Sequence, residues 1–487
     1  MNTKMARQEK DRFASYAFLF ICLISLFRFF YAWGLNALPD EADYFVWSLR
    51  LDFSYFCHPP MLMVFLAFFH KLTGDPILAL RLTTVLLSAG SSFYAYLLGR
   101  EIDCGRSAFI SILLLNVTLL ANAGALIATP DTPMLFFLSG ATYYFYVGLG
   151  PRGATRHWIA AAIFTGLALQ SKLIAVLVYP SFALVLMLPE HRPRLLSFQP
   201  YLALLISLMV FSPVIIWNYF HNWTTFGYQL HHGFGEGRFP NWKRFFEFLG
   251  GQLGIIGPLL FALIVGACVR VWRSWRDCRF GEQYLSLLAA PPLIFFLVVS
   301  LQKKVEANWP CYAYLPGIIL SVLVYGGGTN ISGGLKRVWR INWWYQLVVI
   351  SLVLVHIYMP FLPLKKDRTD EYFGWDQLGK AVLSLAEHNP GLALAANRYQ
   401  EASELIFYTG LPVLCLNIQS RPNQFDIWQA DRDLTGADLL FIYHKAQPSA
   451  AVAESFRHME HLQEIPVYRE NRLVNVYHAF RALDYRP

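Results

Sequence analysis

The stretch 38–60, LPDEADYFVWSLRLDFSYFCHPP, follows directly on an apolar run and sets five carboxylates or histidines among aromatic side chains. Ionisable groups at that density are too costly for a bilayer interior. The stretch therefore reads as the first loop outside a membrane, and the run before it, 13–35, as the helix that crosses it. That run is too long, and too poorly flanked by small residues, to be a cleaved signal peptide. Lys4, Arg7, Lys10 and Arg12 form its leading basic flank.

The composition agrees with this reading. Of 487 residues, 56% are hydrophobic, 16% aromatic and 15% charged, where a soluble domain carries about a quarter charged residues. The net charge of +8 does not point to nucleic acid, because the basic residues sit in short gaps between apolar runs, the orientation signal of a polytopic membrane protein. The seven cysteines are scattered and suggest neither a disulfide framework nor a zinc site.

Further spans are expected near 78–99, 107–127, 133–149, 157–171, 173–188, 200–217, 249–271, 283–301, 309–326 and 342–362, about eleven in all with the first. Alternate loops carry Arg100 and Arg106, Arg152 and Arg156, Arg192 and Arg194, the group Arg270 to Arg279, and Lys336, Arg337 and Arg340. The positive-inside rule makes that side, with the N-terminus, cytoplasmic. The opposite loops, chiefly 36–77 and 218–248, then face outward, and PPMLMVFLAFFHKLTG (59–74) is expected to lie as a helix in the outer interface. The glycines of YGGGTNISGG (325–334) read as a cytoplasmic linker.

From about residue 363 charge rises and apolar runs shorten. LALAANRYQEASELIFYTGLPVLCLN (392–417) reads as strand, helix, strand, and DLLFIYH (438–444) as another strand. The chain is thus expected to be a polytopic α-helical membrane domain, 1–362, followed by a small α/β domain, 363–487, on the outer face.

Several outer-face residues stand out, each with two readings. Asp40 and Glu41 after Pro39 suit the first turn of a helix, where carboxylates favour the dipole; alternatively one of them is a general base shielded by Tyr44, Phe45 and Trp47. Asp131 in TPDTPMLFF (129–137) likewise suits a helix start. His58 before Pro59 and Pro60 is either an interfacial polar residue or a ligand. Lys172 interrupts apolar sequence between two spans, where a charge needs a partner. Lys303 and Lys304, with Glu306, Asn308 and Trp309 in QKKVEANWP (302–310), run against the positive-inside bias and invite an anionic ligand. His231, His232 and Arg238 in YQLHHGFGEGRFPNW (228–242) add cationic capacity, with only a weak metal signal in the two histidines.

Together, the Asp-Glu pair after the first span, HPP before an interfacial helix, TPD, SK and EANWP resemble the GT-C polyprenyl-phosphate sugar transferases. This class includes the protein O-mannosyltransferases and the lipid A aminoarabinose transferases; the resemblance is nearest to the bacterial family 39, dolichyl-phosphate-mannose-protein mannosyltransferase-like group. It extends into the C-terminal part through ANRYQEASELIFYTG and RPNQFDIW, which adds Arg398, Tyr399, Asn423 and Gln424 as candidate substrate contacts. The resemblance implies transfer of a sugar, with inversion, from a polyprenyl-phosphate carrier to an outer-face acceptor: lipid A or lipopolysaccharide, another glycan, or protein. It implies an inner-membrane location with the N-terminus cytoplasmic. It gives Asp40 the role of base, Glu41 that of supporting the loop, and Asp131 that of orienting acceptor or base. One departure matters. Where the aminoarabinose transferases carry a Glu-Lys pair before the two prolines, this chain has Cys57-His58. A metal ligand expected at that Glu is absent, no cofactor or metal is expected to be required, and His58, Lys172, Arg238, Lys303 and Lys304 become the candidate phosphate contacts. A flippase for lipid-linked sugars is the alternative, though it has no use for a base.

Overall fold

The computed structural model describes residues 3–234, 239–326 and 332–487. Half of the glycine-rich linker, 327–331, lies outside them. The chain divides into two compact units, one of residues 1–29, 58–62 and 84–355 and the other of 30–57, 63–83 and 356–487.

The first unit is helical. Against the eleven spans expected, five helices among the described residues are long and apolar enough to cross a membrane: Arg12–Trp33, Pro76–Ile102, Gln199–Phe220, Phe280–Ser300 and Gly333–Tyr358, or seven counting two bent pairs. Part of the difference comes from breaks and short helices. The expected span 107–127 divides into Gly105–Asn116 and Leu119–Leu126, bent by 70°, because Thr118 caps a new helix by accepting from the Ala121 N–H. The span 249–271 divides at Gly257 and Pro258, with a bend of 104°. Gly257 has φ +87, and a Cβ there would meet the Gln346 amide at 2.6 Å, so the corner demands glycine. The expected span 157–171 is the 15-residue helix Thr155–Leu169, and 309–326 the 16-residue helix Cys311–Gly326; at 1.5 Å per residue these fall short of the roughly 30 Å hydrocarbon core. A buried arginine within the first apolar helix, Arg28, is satisfied by side-chain amides, at 2.7 Å to Asn116 and 3.0 Å to Asn122.

The second unit holds the opening stretch as far as Cys57, helix Met61–Thr73 from Met63 onward, and the C-terminal sheet. Pro39–Ser48 is a helix with proline at its start, a position where a missing N–H costs nothing. Met61–Thr73 follows the two prolines and ends at Gly74, whose φ of +70 suits a helix terminus. The expected strands are present: β1 Ala393–Ala396, β2 Leu414–Cys415 and β3 Leu439–Tyr443, with helix Tyr399–Thr409 between the first two. Two further strands, β4 Phe456–Arg469 and β5 Arg472–Tyr485, form a long hairpin. The sheet order is β2-β1-β3-β5-β4, parallel for β2, β1 and β3 and antiparallel beyond. One face packs Leu394, Ile442 and Ala479 against Leu378 and Val382 of helix Trp375–His388. Arg469, almost wholly buried at the end of β4, donates to Asp370 at 2.8 Å, to Thr369 at 2.9 Å and to the His356 carbonyl at 2.6 Å. It thereby fixes the segment after the last apolar helix onto the sheet.

Candidate active site

The carboxylates of helix Pro39–Ser48 diverge. Glu41 is fully buried and pairs with the equally buried Arg81 at 2.8 Å, while its second oxygen accepts the Leu38 N–H at 3.0 Å. Arg81 also donates to the carbonyls of Ala32, Leu35 and Asn36. This arrangement locks the end of the first apolar helix, the turn after it and the start of helix Pro76–Ile102 together. A side chain so committed supports the loop.

Asp40 is exposed. Its carboxylate accepts from the Tyr399 hydroxyl at 3.3 Å. Arg421 donates to the same hydroxyl at 2.6 Å and lies over the Tyr399 ring, 5.2 Å from its centre. An exposed carboxylate, a phenol and a guanidinium thus form one chain of contacts, with half-buried Tyr44 on the same helix. Such a set can accept a proton, relay a hydrogen bond and hold an anion.

Asp43, one turn on, is buried and accepts from Ser403 at 2.8 Å and Trp47 at 3.1 Å. Burial, reinforced by the charge of Asp40, pushes its carboxyl up to about 8. It therefore mostly holds a proton at neutral pH, with its hydrogen bonds committed to Ser403 and Trp47. The folded state binds a proton that the unfolded chain has released, so this contribution to stability is complete below 3.8 and is lost as pH rises toward about 8. Thermal unfolding of the detergent-solubilised protein is expected to show a loss of stability across that window that Asp43→Asn reduces; equal slopes for both proteins would remove the assignment.

Other expected contacts in this unit are used within the chain. Gln424 accepts the Phe56 N–H at 2.7 Å, holding the stretch before Cys57. Asn423 caps helix Gln424–Gln429 by accepting the Phe425 N–H at 2.9 Å. Arg398 is exposed at the start of helix Tyr399–Thr409.

In the helical unit Asp131 begins helix Asp131–Leu149. Its carboxylate receives Lys172 at 2.8 and 2.9 Å, Asn308 at 2.8 Å and the Cys311 thiol at 3.7 Å. Lys172 was singled out as a charge in need of a partner, and Asp131 is that partner. This almost buried ion pair joins three separate segments. Lys304 pairs with Glu306 at 2.7 Å, Lys303 donates to the His231 carbonyl, Trp309 packs on Phe296 with ring centres 6.0 Å apart, and His58 is half-buried. Arg238 and the His232 side chain lie outside the described residues.

Sequence reasoning did not single out Arg81, Asp43 or Arg421. Arg81 carried a signal, being a charge within an expected apolar span. Asp43 meets Ser403 from 360 residues away, which no local pattern records, and Arg421 meets Tyr399 from 22.

The family model for dolichyl-phosphate-mannose-protein mannosyltransferases matches residues 57–217. A lipid A galacturonosyltransferase, RgtD, of Rhizobium johnstonii is 26% identical over 382 residues, covering 76% of this chain and 77% of that protein. The structure of ArnT from Cupriavidus metallidurans superposes with a TM-score of 0.64 at 15% identity, covering 96% of this chain and 98% of ArnT; ArnT bound to undecaprenyl phosphate gives 0.63, covering 95% and 97%. The oligosaccharyltransferase AglB of Archaeoglobus fulgidus, with an inhibitory peptide and a dolichol-phosphate, gives 0.53 at 12% identity over 87% of this chain and 69% of AglB. The fold is GT-C, with a small C-terminal sheet domain.

Proposed function

We infer that this chain is a multi-pass membrane glycosyltransferase of the GT-C class that takes its sugar from a lipid-phosphate-linked donor, as the resemblance in its sequence implied, and that lipid A is its acceptor. The observation that carries the acceptor is the match over most of both chains to a lipid A galacturonosyltransferase. The comparisons lend the flippase alternative no support.

Within this reading Asp40 takes the proton of the acceptor hydroxyl as the new glycosidic bond forms. Tyr399 and Arg421 hold that carboxylate in place, and Arg421 adds positive charge beside it. The leaving group is a phosphate, whose developing charge needs cations rather than an acid. Lys303 and Lys304 are the candidate cations of the helical unit, while Lys172 orients Asp131. Mass spectrometry of lipid A from a strain lacking the gene is expected to lose a species heavier by one sugar. Unchanged lipid A together with a shifted glycoprotein or other glycan would reassign the acceptor.

The proposed setting is the bacterial inner membrane, with the N-terminus and the 270–282 loop in the cytoplasm and residues 363–487 outside. The arginine distribution supports this orientation. A reporter active only in the cytoplasm is expected to be silent when fused after Pro487; strong signal there would reverse the topology.

A further inference from the structure

We propose that the β4–β5 hairpin carries a binding site for one zinc ion, formed by His461, Glu464 and His478. The three side chains each offer a ligand atom, and these atoms all lie within 4.8 Å of one another. His461 Nε2 and His478 Nδ1 are 3.2 Å apart. Two nitrogens bound to a tetrahedral zinc at about 2.0–2.1 Å stand about 3.3 Å from each other, so the ring pair already has the required spacing. Glu464 lies 3.9 Å from His478 Nδ1 on a mostly exposed side chain, free to close the remaining gap.

The strand geometry explains why these three converge. His478 pairs across the ladder with Glu464, and His461 pairs with Phe480. Residues 478 and 480 share a face, whereas 461 and 464, three apart on one strand, would point to opposite faces in a regular ladder. A register shift between His461 and Gln463 inserts the extra residue that turns both to the same side. A hydrogen bond between two neutral imidazoles accounts for the ring contact, but it gives no reason for the bulge that brings in the carboxylate. The neighbouring Phe480 ring, 5.2 Å from His461, fixes one wall. Three protein ligands leave a fourth position open on the exposed side for water or an anionic group.

The test uses the full-length protein in detergent, stripped with a chelator, exposed to Zn2+ alone and passed through gel filtration before elemental analysis. Wild type is expected to retain one zinc per chain, and substitution by Co2+ to give the visible absorption of a tetrahedral site. His461→Gln and Glu464→Gln change exposed positions and leave the core intact. Each is expected to weaken zinc by more than the roughly 10- to 100-fold that loss of an outer-shell partner costs, whereas His388→Gln, a histidine outside the cluster, leaves retention unchanged. Wild type that retains no zinc, or equal retention in all three variants, would overturn the proposal.

Discussion

Asp40→Asn is expected to lower turnover by about 100- to 10,000-fold, the usual contribution of a positioned general base, with donor binding almost unchanged. The substitution keeps the shape of the side chain and leaves an oxygen to accept from Tyr399, which donates to Asp40 at 3.3 Å. What it removes is the capacity to take a proton. The neighbouring carboxylates do not offer an easy substitute. Glu41 is buried in an ion pair, and Asp43 holds its proton up to about 8. Steady-state kinetics with a lipid-phosphate-linked sugar, together with donor binding measured separately, decide the matter. Near-normal turnover in well-folded Asp40→Asn, alongside an inactive Asp131→Asn, would transfer the role to Asp131 and leave Asp40 as a helix-start residue. Tyr399→Phe is expected to cost far less than Asp40→Asn, since it removes a hydrogen bond to the carboxylate and not the carboxylate itself.

Part of the fold could be read from the chain because apolar runs and the charges that flank them are local signals. A carboxylate pair after an apolar run and arginines in every second loop are signals of a few residues each. The alternation of apolar and turn residues likewise marked β1, β2 and β3. The β4–β5 hairpin escaped because β4, FRHMEHLQEIPVYR, is an edge strand rich in charge and imidazole, the composition that keeps an edge from aggregating and hides it from an apolar pattern. Two expected spans divide because a glycine corner followed by proline, or a capping threonine, breaks a helix without interrupting hydropathy, as at Gly257 and Thr118. The site was legible only in part. Asp40 could be named, but Tyr399 meets it from 359 residues away, and Ser403 meets Asp43 from 360. No local pattern records such pairings. The C-terminal motif containing Tyr399 drew notice only through family resemblance, and Arg421, which completes the contact chain, was passed over although it begins RPNQFDIW.

Arg81→Met is expected to be among the most destabilising single substitutions in the protein, by about 3–5 kcal/mol, the cost of leaving one member of a buried ion pair without the other. Methionine approximates the length of the arginine stem, so little volume is lost and the effect reports the charge. The substitution strips Glu41, which is wholly buried, of its partner at 2.8 Å. It also removes the donors to the carbonyls of Ala32, Leu35 and Asn36. Unmet buried acceptors of that kind are costly in themselves. Glu41→Gln breaks the same pair from the other side but keeps an oxygen for the Leu38 N–H and leaves Arg81 its three carbonyl acceptors, so its loss is expected to be smaller than that of Arg81→Met. Thermal unfolding of the detergent-solubilised protein, with the amount of folded material measured before activity, separates stability from chemistry. The surviving folded fraction of Glu41→Gln is expected to turn over far faster than Asp40→Asn, because Glu41 holds the helix that presents Asp40 and does not meet the acceptor. A Glu41→Gln protein that folds as well as wild type yet transfers no sugar would contradict this and place Glu41 in the chemistry.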